Sequence, residues 1–347
     1  MSTRHISLAG SDVGFDCAAG QDVLDAALRA GIELSYSCRK GVCGNCAAPV
    51  VTGEVGRAGS VALTNDATPA GQVLLCAATP LTDLTIAPAH WSRLDPSARK
   101  RFTAKVFRNE ALAPDVTLLQ LRLAAGQRAK FRAGQYLRVL LSDGDSRCYS
   151  MANAPHESDS VTLHVRRLPG GRFSDGVLPT LQKGMTLDIE LPYGSVALES
   201  ESGSASGPAR PVVFVAGGTG FAPVKSLLDD FARRKVARPV TLIWAARGPS
   251  GLYLLPALAP WRRQLPGFRF VPALSDEPVE RLPGDPDTPV FAGRADQALA
   301  ASIDDLTGWD VYCCGSPPMV DAVRVVALAR RLAPANFHAD VFVDSAV

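Results

Sequence analysis

The sequence lacks the long apolar run that a membrane span requires: nothing in its 347 residues approaches the roughly 18 to 20 consecutive apolar positions of a spanning helix. It also lacks a charge bias. With 36 basic against 34 acidic side chains and a net charge of +2, the electrostatic footprint of a nucleic-acid binder is missing. The opening residues, MSTRHISLAGSDVGFDC, have neither the basic start nor the continuous apolar core of a secretory leader, so a cytoplasmic protein is expected. No internal repeat is visible. Aromatic residues are scarce at 7%, but 47% of the chain is hydrophobic, and its length asks for two or three globular cores.

Eight cysteines are present: Cys17, Cys38, Cys43, Cys46, Cys76, Cys148, Cys313 and Cys314. A reducing compartment disfavours a disulfide framework, which leaves metal ligation, catalysis or plain burial. The run Cys38-Arg39-Lys40-Gly41-Val42-Cys43-Gly44-Asn45-Cys46, completed by Cys76 after a 29-residue gap, reads C-x4-C-x2-C and a distant C. This is the plant-type ferredoxin spacing, in which four thiolates, here Cys38, Cys43, Cys46 and Cys76, hold a 2Fe-2S cluster. Three ligands that converge within a few ångströms force the backbone to curl, and Gly41 and Gly44 permit the positive φ angles that this demands. The alternative, a structural zinc site, ordinarily pairs two C-x2-C knuckles, and only one is present. Cys17 lies outside the motif and is expected to be a small buried hydrophobe.

Around this loop, residues 3–8 and 13–17 alternate like strands, and 22–30 has helical apolar spacing that stops at Gly31. Residues 1–90 resemble the β-grasp ferredoxins, so they read as a plant-type 2Fe-2S ferredoxin domain. Residues 91–102 are basic and irregular and read as a linker. The 1–90 segment carries five basic and eight acidic side chains, whereas 91–206 carries sixteen and twelve. An acidic front domain resting on a basic second one is one reading of that asymmetry; an ordinary solvated connector is the other. Six short runs, 102–108, 116–123, 136–141, 147–150, 161–166 and 186–191, suggest a closed antiparallel barrel over 103–206. The Ser/Gly/Glu-rich stretch 199–208 marks a mobile loop between domains. Over 207–347, strands such as PVVFVA and VTLIWA alternate with helical segments at 221–234 and 317–331, which is α/β architecture with a parallel sheet.

Within the expected barrel, Arg147-Cys148-Tyr149-Ser150 matches the R-x-Y-S motif of the ferredoxin-NADP reductase superfamily, which the chain resembles. By that resemblance Arg147 grips a flavin pyrophosphate, as a guanidinium does with paired hydrogen bonds. Tyr149 lies along the flavin, and Ser150 reaches its reactive edge. Cys148 falls within the motif and is counted with its flavin-binding residues, although its thiol is read as structural. Downstream, His164-Val165-Arg166 and then Gly171-Arg172-Phe173-Ser174 match the family's second flavin element, where glycines before a helix start suit phosphate binding. Ser174 has an alternative as an ordinary helix N-cap. The domain order implies FAD.

After the strand PVVFVA, Gly217-Gly218-Thr219-Gly220 opens a helix and corresponds to the family's nicotinamide-nucleotide motif, in which glycines let the dinucleotide cross the strand ends. Cys313-Cys314-Gly315 resembles a late element that sets Cys314 beside the nicotinamide ring; Cys313 points into the sheet. In the tail, Asp340 and Phe342 correspond to an acid near the flavin and an aromatic that covers it, although five residues follow Phe342. Ser150, Cys314, Asp340 and Phe342 thus form the expected hydride-transfer site. At the end of the second strand no acid is present, while Arg247 and Ser250 suit a 2′-phosphate and Tyr253 an adenine-side contact. NADPH is therefore expected, with NADH the alternative.

Ferredoxin, flavin barrel and nicotinamide domain in that order resemble the single-chain reductases that feed Rieske ring-hydroxylating dioxygenases. The resemblance implies a route from NADPH through FAD and a 2Fe-2S cluster to a Rieske-type terminal oxygenase, whose substrate would be an aromatic carboxylate. Reductases of soluble diiron monooxygenases or of deoxysugar dehydratases share the same motifs. An iron-sulfur redox sensor is the alternative of another class, but it has no need of a hydride-transfer site. The rim formed by Arg39, Lys40 and Asn45 is the expected face for the partner.

Overall fold

The computed structural model describes residues 3–57, 71–94, 99–195 and 210–343. The chain divides into two units: Met1–Arg99 with Gly194–Ala197, and Lys100–Tyr193 with Leu198–Val347.

In the first unit, β1 (Thr3–Leu8) and β2 (Gly14–Ala18) form an antiparallel hairpin. The hairpin leads to α1 (Val23–Arg29), where Asp22 caps the helix by accepting from the Asp25 N–H at 2.7 Å. A carboxylate there satisfies an N–H that the first helical turn leaves unpaired. Val23, Leu24, Ala26 and Ala27 turn inward, and Gly31, at φ +74°, ends the run. The chain continues through β3 (Ile32–Leu34), the cysteine loop, β4 (Ala47–Thr52), β5 (Val55–Arg57), β6 (Gln72–Leu74), β7 (Ala78–Pro80), β8 (Leu84–Ile86) and β9 (Trp91–Arg93). The main sheet has the order β2-β1-β8-β4-β6, with β8 parallel to β1 and antiparallel to β4. Its core joins Ile6, Phe15, Leu24, Leu34 and Tyr36 to Cys17, which is fully buried as expected. Burial pushes the Cys17 thiol up to about 11, so it stays protonated.

One expectation changes here. Residues 91–102 are not an irregular linker throughout: Trp91–Arg93 pairs antiparallel with Ile32–Leu34, and Lys100 already begins the next strand. Backbone pairing with a short edge strand has no hydrophobic pattern by which the sequence could announce it. The stretch 199–208 lies outside the described residues.

The second unit opens with the barrel: β10 (Lys100–Ala113), β11 (Val116–Arg122), β12 (Tyr136–Leu140), β13 (Ser146–Ser150), β14 (Ser160–Arg166) and β15 (Thr186–Tyr193), in the order β13-β12-β15-β10-β11-β14. Met151, just past β13, bridges to Leu163 on β14 and brings the two sheet edges together. Leu119, Leu121, Leu137, Val139, Leu163, Val165 and Ile189 fill the interior. The fold then turns parallel: β16 (Val212–Gly217), α2 (Phe221–Arg234), β17 (Val240–Ala246), α3 (Leu258–Gln264), β18 (Arg269–Leu274), β19 (Arg281–Leu282), β20 (Asp285–Pro289), β21 (Phe291–Ala292), α4 (Ala295–Ser302), β22 (Asp310–Gly315), α5 (Pro317–Ala329) and β23 (Phe337–Val341). The parallel sheet has the order β21-β18-β17-β16-β22-β23. The chain moves outward from β16 in one direction and then restarts on its other side at β22, so a topological switch point falls at their carboxyl ends. The two glycine-rich turns lie there. Among the described residues no helix is long and apolar enough to cross a membrane.

Candidate functional site

The cysteine loop curls as its glycines foreshadow, with Gly41 at φ +72° and Gly44 at +81°. Arg39 also adopts the left-handed conformation at +55°, which nothing in its side chain announces. Its guanidinium reaches Asp25 at 3.0 Å, so it is anchored to α1, whereas Lys40 is exposed. Among the described residues no three Cys, His, Asp or Glu side chains close on a single-ion site. The four thiols form two pairs instead: Cys38 with Cys43, and Cys46 with Cys76 at 3.3 Å. Two irons that each take two thiolates ask for pairs, so this donor set fits a 2Fe-2S cluster better than one zinc ion. The Cys38 thiol is lowered to about 6, first by a hydrogen bond with Cys43 and then, against burial, by the N–H groups of Lys40, Val42 and Cys43. The Lys40 N–H lies 3.4 Å from Cys38 Sγ. Donors aimed at sulfur favour the thiolate form that a metal needs.

On the barrel, Arg147 and Arg172 both converge on the Asp145 carboxylate, at 2.6 and 2.9 Å, and Arg172 also pairs with Asp143. Two guanidinium groups that converge on one anion have the donor chemistry a pyrophosphate calls for, so this pair fits a flavin dinucleotide. The segment after Gly171 is a π-helical turn, Arg172–Val177. Ser174 is not its N-cap: it sits inside the turn, buried, and its Oγ accepts from the Leu168 N–H at 3.2 Å. Phe173 and Val165 belong to the barrel core, so only their backbone groups are available to a ligand. Tyr149 is half-buried, its ring 5.4 Å from that of Phe173. Cys148, read as structural, is instead exposed, because strand alternation turns it away from the core to lie opposite Arg138.

Ser150 is the residue on which the two halves of this unit meet. Its hydroxyl donates to Asp340 Oδ2 at 3.2 Å, across 190 residues of sequence. Asp340 lies opposite Cys314 in the β22–β23 register, and the Cys314 thiol donates to the same oxygen at 3.8 Å. Burial first, and the Asp340 charge second, push this thiol well above its ordinary range, so it is a protonated donor rather than a nucleophile. Cys313 is buried in the sheet, as expected. The backbone N–H of Phe342 bonds to the Gly315 carbonyl at 2.9 Å, which ties the tail to the same turn.

Helix α2 secures this meeting through residues that sequence reasoning did not single out. Ser226 Oγ donates to the Asn153 carbonyl at 2.7 Å, and Lys225 Nζ to the Ala152 carbonyl at 3.3 Å. Asn153, itself buried, braces the following loop through the Thr162 N–H and the carbonyls of Glu157 and Ser160. Both carbonyls follow R-x-Y-S directly, so α2 fixes Ser150 against the nicotinamide turn. In that turn Gly218 is at φ +53°, and a Cβ there would meet the Arg166 guanidinium. Arg166, expected at the flavin, thus lies against the turn Gly217–Gly220 and pairs with Asp115 at 3.0 Å. Thr219 is buried in the same turn. His164 accepts or donates at 3.1 Å with the Tyr253 hydroxyl, while its Nε2 is buried without a partner among the described residues. Tyr253 is therefore brought to His164, edge-on to Trp244 and Phe221, rather than to the Arg247 end. Arg247 is 92% exposed, and its carbonyl accepts from the N–H groups of Asp276 and Glu277. Ser250 lies in the short helical turn that follows.

A metal-cluster loop, a flavin barrel and a nicotinamide sheet on one chain define an iron-sulfur flavoprotein reductase. Residues 6–81 match the 2Fe-2S iron-sulfur cluster binding domain, 103–198 the oxidoreductase FAD-binding domain and 214–325 the oxidoreductase NAD-binding domain. The chain belongs to the family of the terephthalate 1,2-dioxygenase reductase components: it is 54% identical to reductase component 2 from Comamonas sp over 339 residues, 98% of this chain and 97% of that protein. It is 32% identical to the CDP-6-deoxy-L-threo-D-glycero-4-hexulose-3-dehydrase reductase of Yersinia pestis, covering 98% of this chain and 99% of that one. Among solved structures, the Amycolatopsis cytochrome P450 reductase GcoB superposes with a TM-score of 0.75 at 33% identity, covering 99% of this chain and all of that one.

Proposed function

We propose that this chain is the reductase component of an aromatic-ring dioxygenase, taking electrons from NADPH and delivering them to a Rieske-type oxygenase that acts on terephthalate or a related aromatic carboxylate. The observation that carries the reading is the bond from Ser150 to Asp340, which joins the flavin strand to the nicotinamide sheet at the carboxylate that also receives the Cys314 thiol. When bound, FAD supplies an acceptor for hydride that can release electrons singly, and the 2Fe-2S cluster supplies a one-electron carrier.

The chain's own residues have distinct duties. Arg147 and Arg172, now paired with Asp145, would hold the flavin pyrophosphate. Ser150 directs its proton to Asp340, which orients the hydroxyl that would meet the flavin edge. Cys314, kept protonated, bounds the space where the nicotinamide ring stacks, so that the reacting atoms are held in one geometry. The turn Gly217–Gly220 lets the dinucleotide backbone pass close to the strand ends, and Arg247 with Ser250 takes the 2′-phosphate. Cys38 with Cys43, and Cys46 with Cys76, would hold the 2Fe-2S cluster. Aromatic substrate chemistry belongs to the partner. A redox sensor is disfavoured because it makes no use of the Ser150–Asp340–Cys314 arrangement.

The test is NADPH-dependent reduction of cytochrome c and of ferricyanide by the purified holoenzyme. Cys43→Ser is expected to abolish cytochrome c reduction and to spare much of the ferricyanide rate, since the flavin reduces ferricyanide directly. Equal retention of both rates would show that the cysteine loop is off the main route, and absence of both in the wild type would end the reductase reading.

A further inference from the structure

A pocket of about 520 Å³ opens on the outer face of the barrel, lined by Lys105, Val106, Phe107, Arg122, Leu123 and Lys183, among others. It is remote from the flavin elements along the sheet: Arg122 pairs with Ser160, the first residue of β14, whereas His164–Arg166 lie at its other end. Its charge is unusual. Lys105 stands directly opposite Arg122 in the β10–β11 register, and like charges in that position repel. Lys183 adds a third cation, its Nζ 5.4 Å from the centre of the Phe107 ring. None of the three has a carboxylate partner among the described residues. The nearby acid, Asp188, is engaged by Arg101 and Thr103, both at 2.6 Å.

The Arg122 guanidinium carbon lies over the Phe107 ring, 3.7 Å from its centre, a cation–π contact. Stacking uses the face of the guanidinium and leaves its edge N–H groups to grip a planar anion. Val106, Phe107 and Leu123, with Ala124 and Ala125, give the walls an apolar character that a bare inorganic anion would not use. The volume falls within the range of small-molecule sites, about 300–1,000 Å³. We propose that this pocket is a binding site for an aromatic carboxylate, with the ring against the Phe107 side and the carboxylate held by Arg122, Lys105 and Lys183. Such a ligand satisfies both the apolar wall and the uncompensated cations. That it belongs to the class consumed by the partner oxygenase rests on the function proposed above; the binding itself does not.

Calorimetric titration of the FAD- and cluster-loaded protein with terephthalate, benzoate and, separately, inorganic phosphate tests the site. Saturable binding of the two carboxylates is expected, weakened about tenfold or more by Arg122→Gln and by Lys183→Gln, which each remove a charge-assisted contact. NADPH–ferricyanide turnover of both variants should match the wild type, because neither residue belongs to the hydride-transfer site. No heat from either carboxylate, equal binding in the variants, or phosphate binding as tightly as benzoate would overturn the proposal. Reductase rates measured on the same preparations report separately on the proposed function, so failure of one reading is distinguishable from failure of the other.

Discussion

Gly220→Ala isolates the contact on which the nicotinamide turn depends. Gly220 has φ −55°, an ordinary helical value, so a side chain meets no backbone strain there. On chain entropy alone, alanine at such a position stabilises by about 0.4–1 kcal/mol. The added Cβ, however, would press on the carbonyl oxygen and carbon of Cys314 and on its Sγ. Those are atoms of β22, which is held between β16 and β23, so neither side yields as a flexible side chain would. Overpacking of this kind costs about 1–3 kcal/mol, which should lower the melting temperature by about 2–4 °C per kcal/mol in a unit of this size. Relief requires the turn or Cys314 to move by about an ångström, and a misplacement of that order costs roughly a hundredfold in rate. Gly217→Ala is the internal control: its Cβ would meet the Met319 sulfur, the far end of a flexible side chain. Differential scanning fluorimetry and NADPH–ferricyanide turnover on both variants read the two effects. Wild-type stability and rate in Gly220→Ala, or equal damage in Gly217→Ala, would refute the reasoning.

Two further predictions concern charge. His164 is pushed down to about 3, chiefly by burial and secondarily by Lys225, so the folded protein holds a neutral imidazole while the unfolded chain protonates near 6.5. Between those values the unfolded state binds more protons, and stability is lost as pH falls, by at most about 1.4 kcal/mol per pH unit. His164→Asn should flatten the urea-unfolding profile between pH 6.5 and 5; an unchanged slope there would remove His164 as the cause. Arg247→Ala should lower kcat/KM for NADPH by about tenfold or more and leave NADH within about twofold. A parallel loss for both coenzymes would show that Arg247 does not read the 2′-phosphate, and that the neighbouring Asp276 and Glu277 favour a free ribose hydroxyl.

What the sequence makes legible is what repeats at short spacing. The cysteine loop, R-x-Y-S and the glycine turn are each contained within a dozen residues, because a cluster or a phosphate must be surrounded by neighbouring backbone. The barrel strands and α2 were readable from alternation and from apolar spacing. Features assembled across the sheet were not. Lys105 and Arg122 meet only through strand register, Lys183 joins them from the turn before β15, and each alone reads as an ordinary surface cation. Tyr253 was expected at the adenine because of its nearness to Arg247 in sequence, yet the turn after β17 carries it to His164. The exposure of Cys148 follows from strand alternation beside half-buried Tyr149, which the four-residue motif alone does not state. Asp145, in a hairpin of unremarkable polarity, gave no hint that it joins two arginines.

The position of β8 bears on how this molecule could be divided and recombined. Leu84–Ile86 sits in the middle of the first unit's sheet, between the β1–β2 hairpin and the strand that leaves the cysteine loop. The region shared with other 2Fe-2S domains ends at residue 81, before this strand begins. A fragment cut there would keep all four cysteines and lose the strand that fastens them to the hairpin. The transferable piece is longer than the shared motif: it runs through β9, and it includes Ser195, which arrives from beyond the barrel and accepts the Tyr36 N–H at 2.6 Å. Grafting a foreign cluster domain onto this flavoprotein would therefore mean rewriting two separate stretches of the gene.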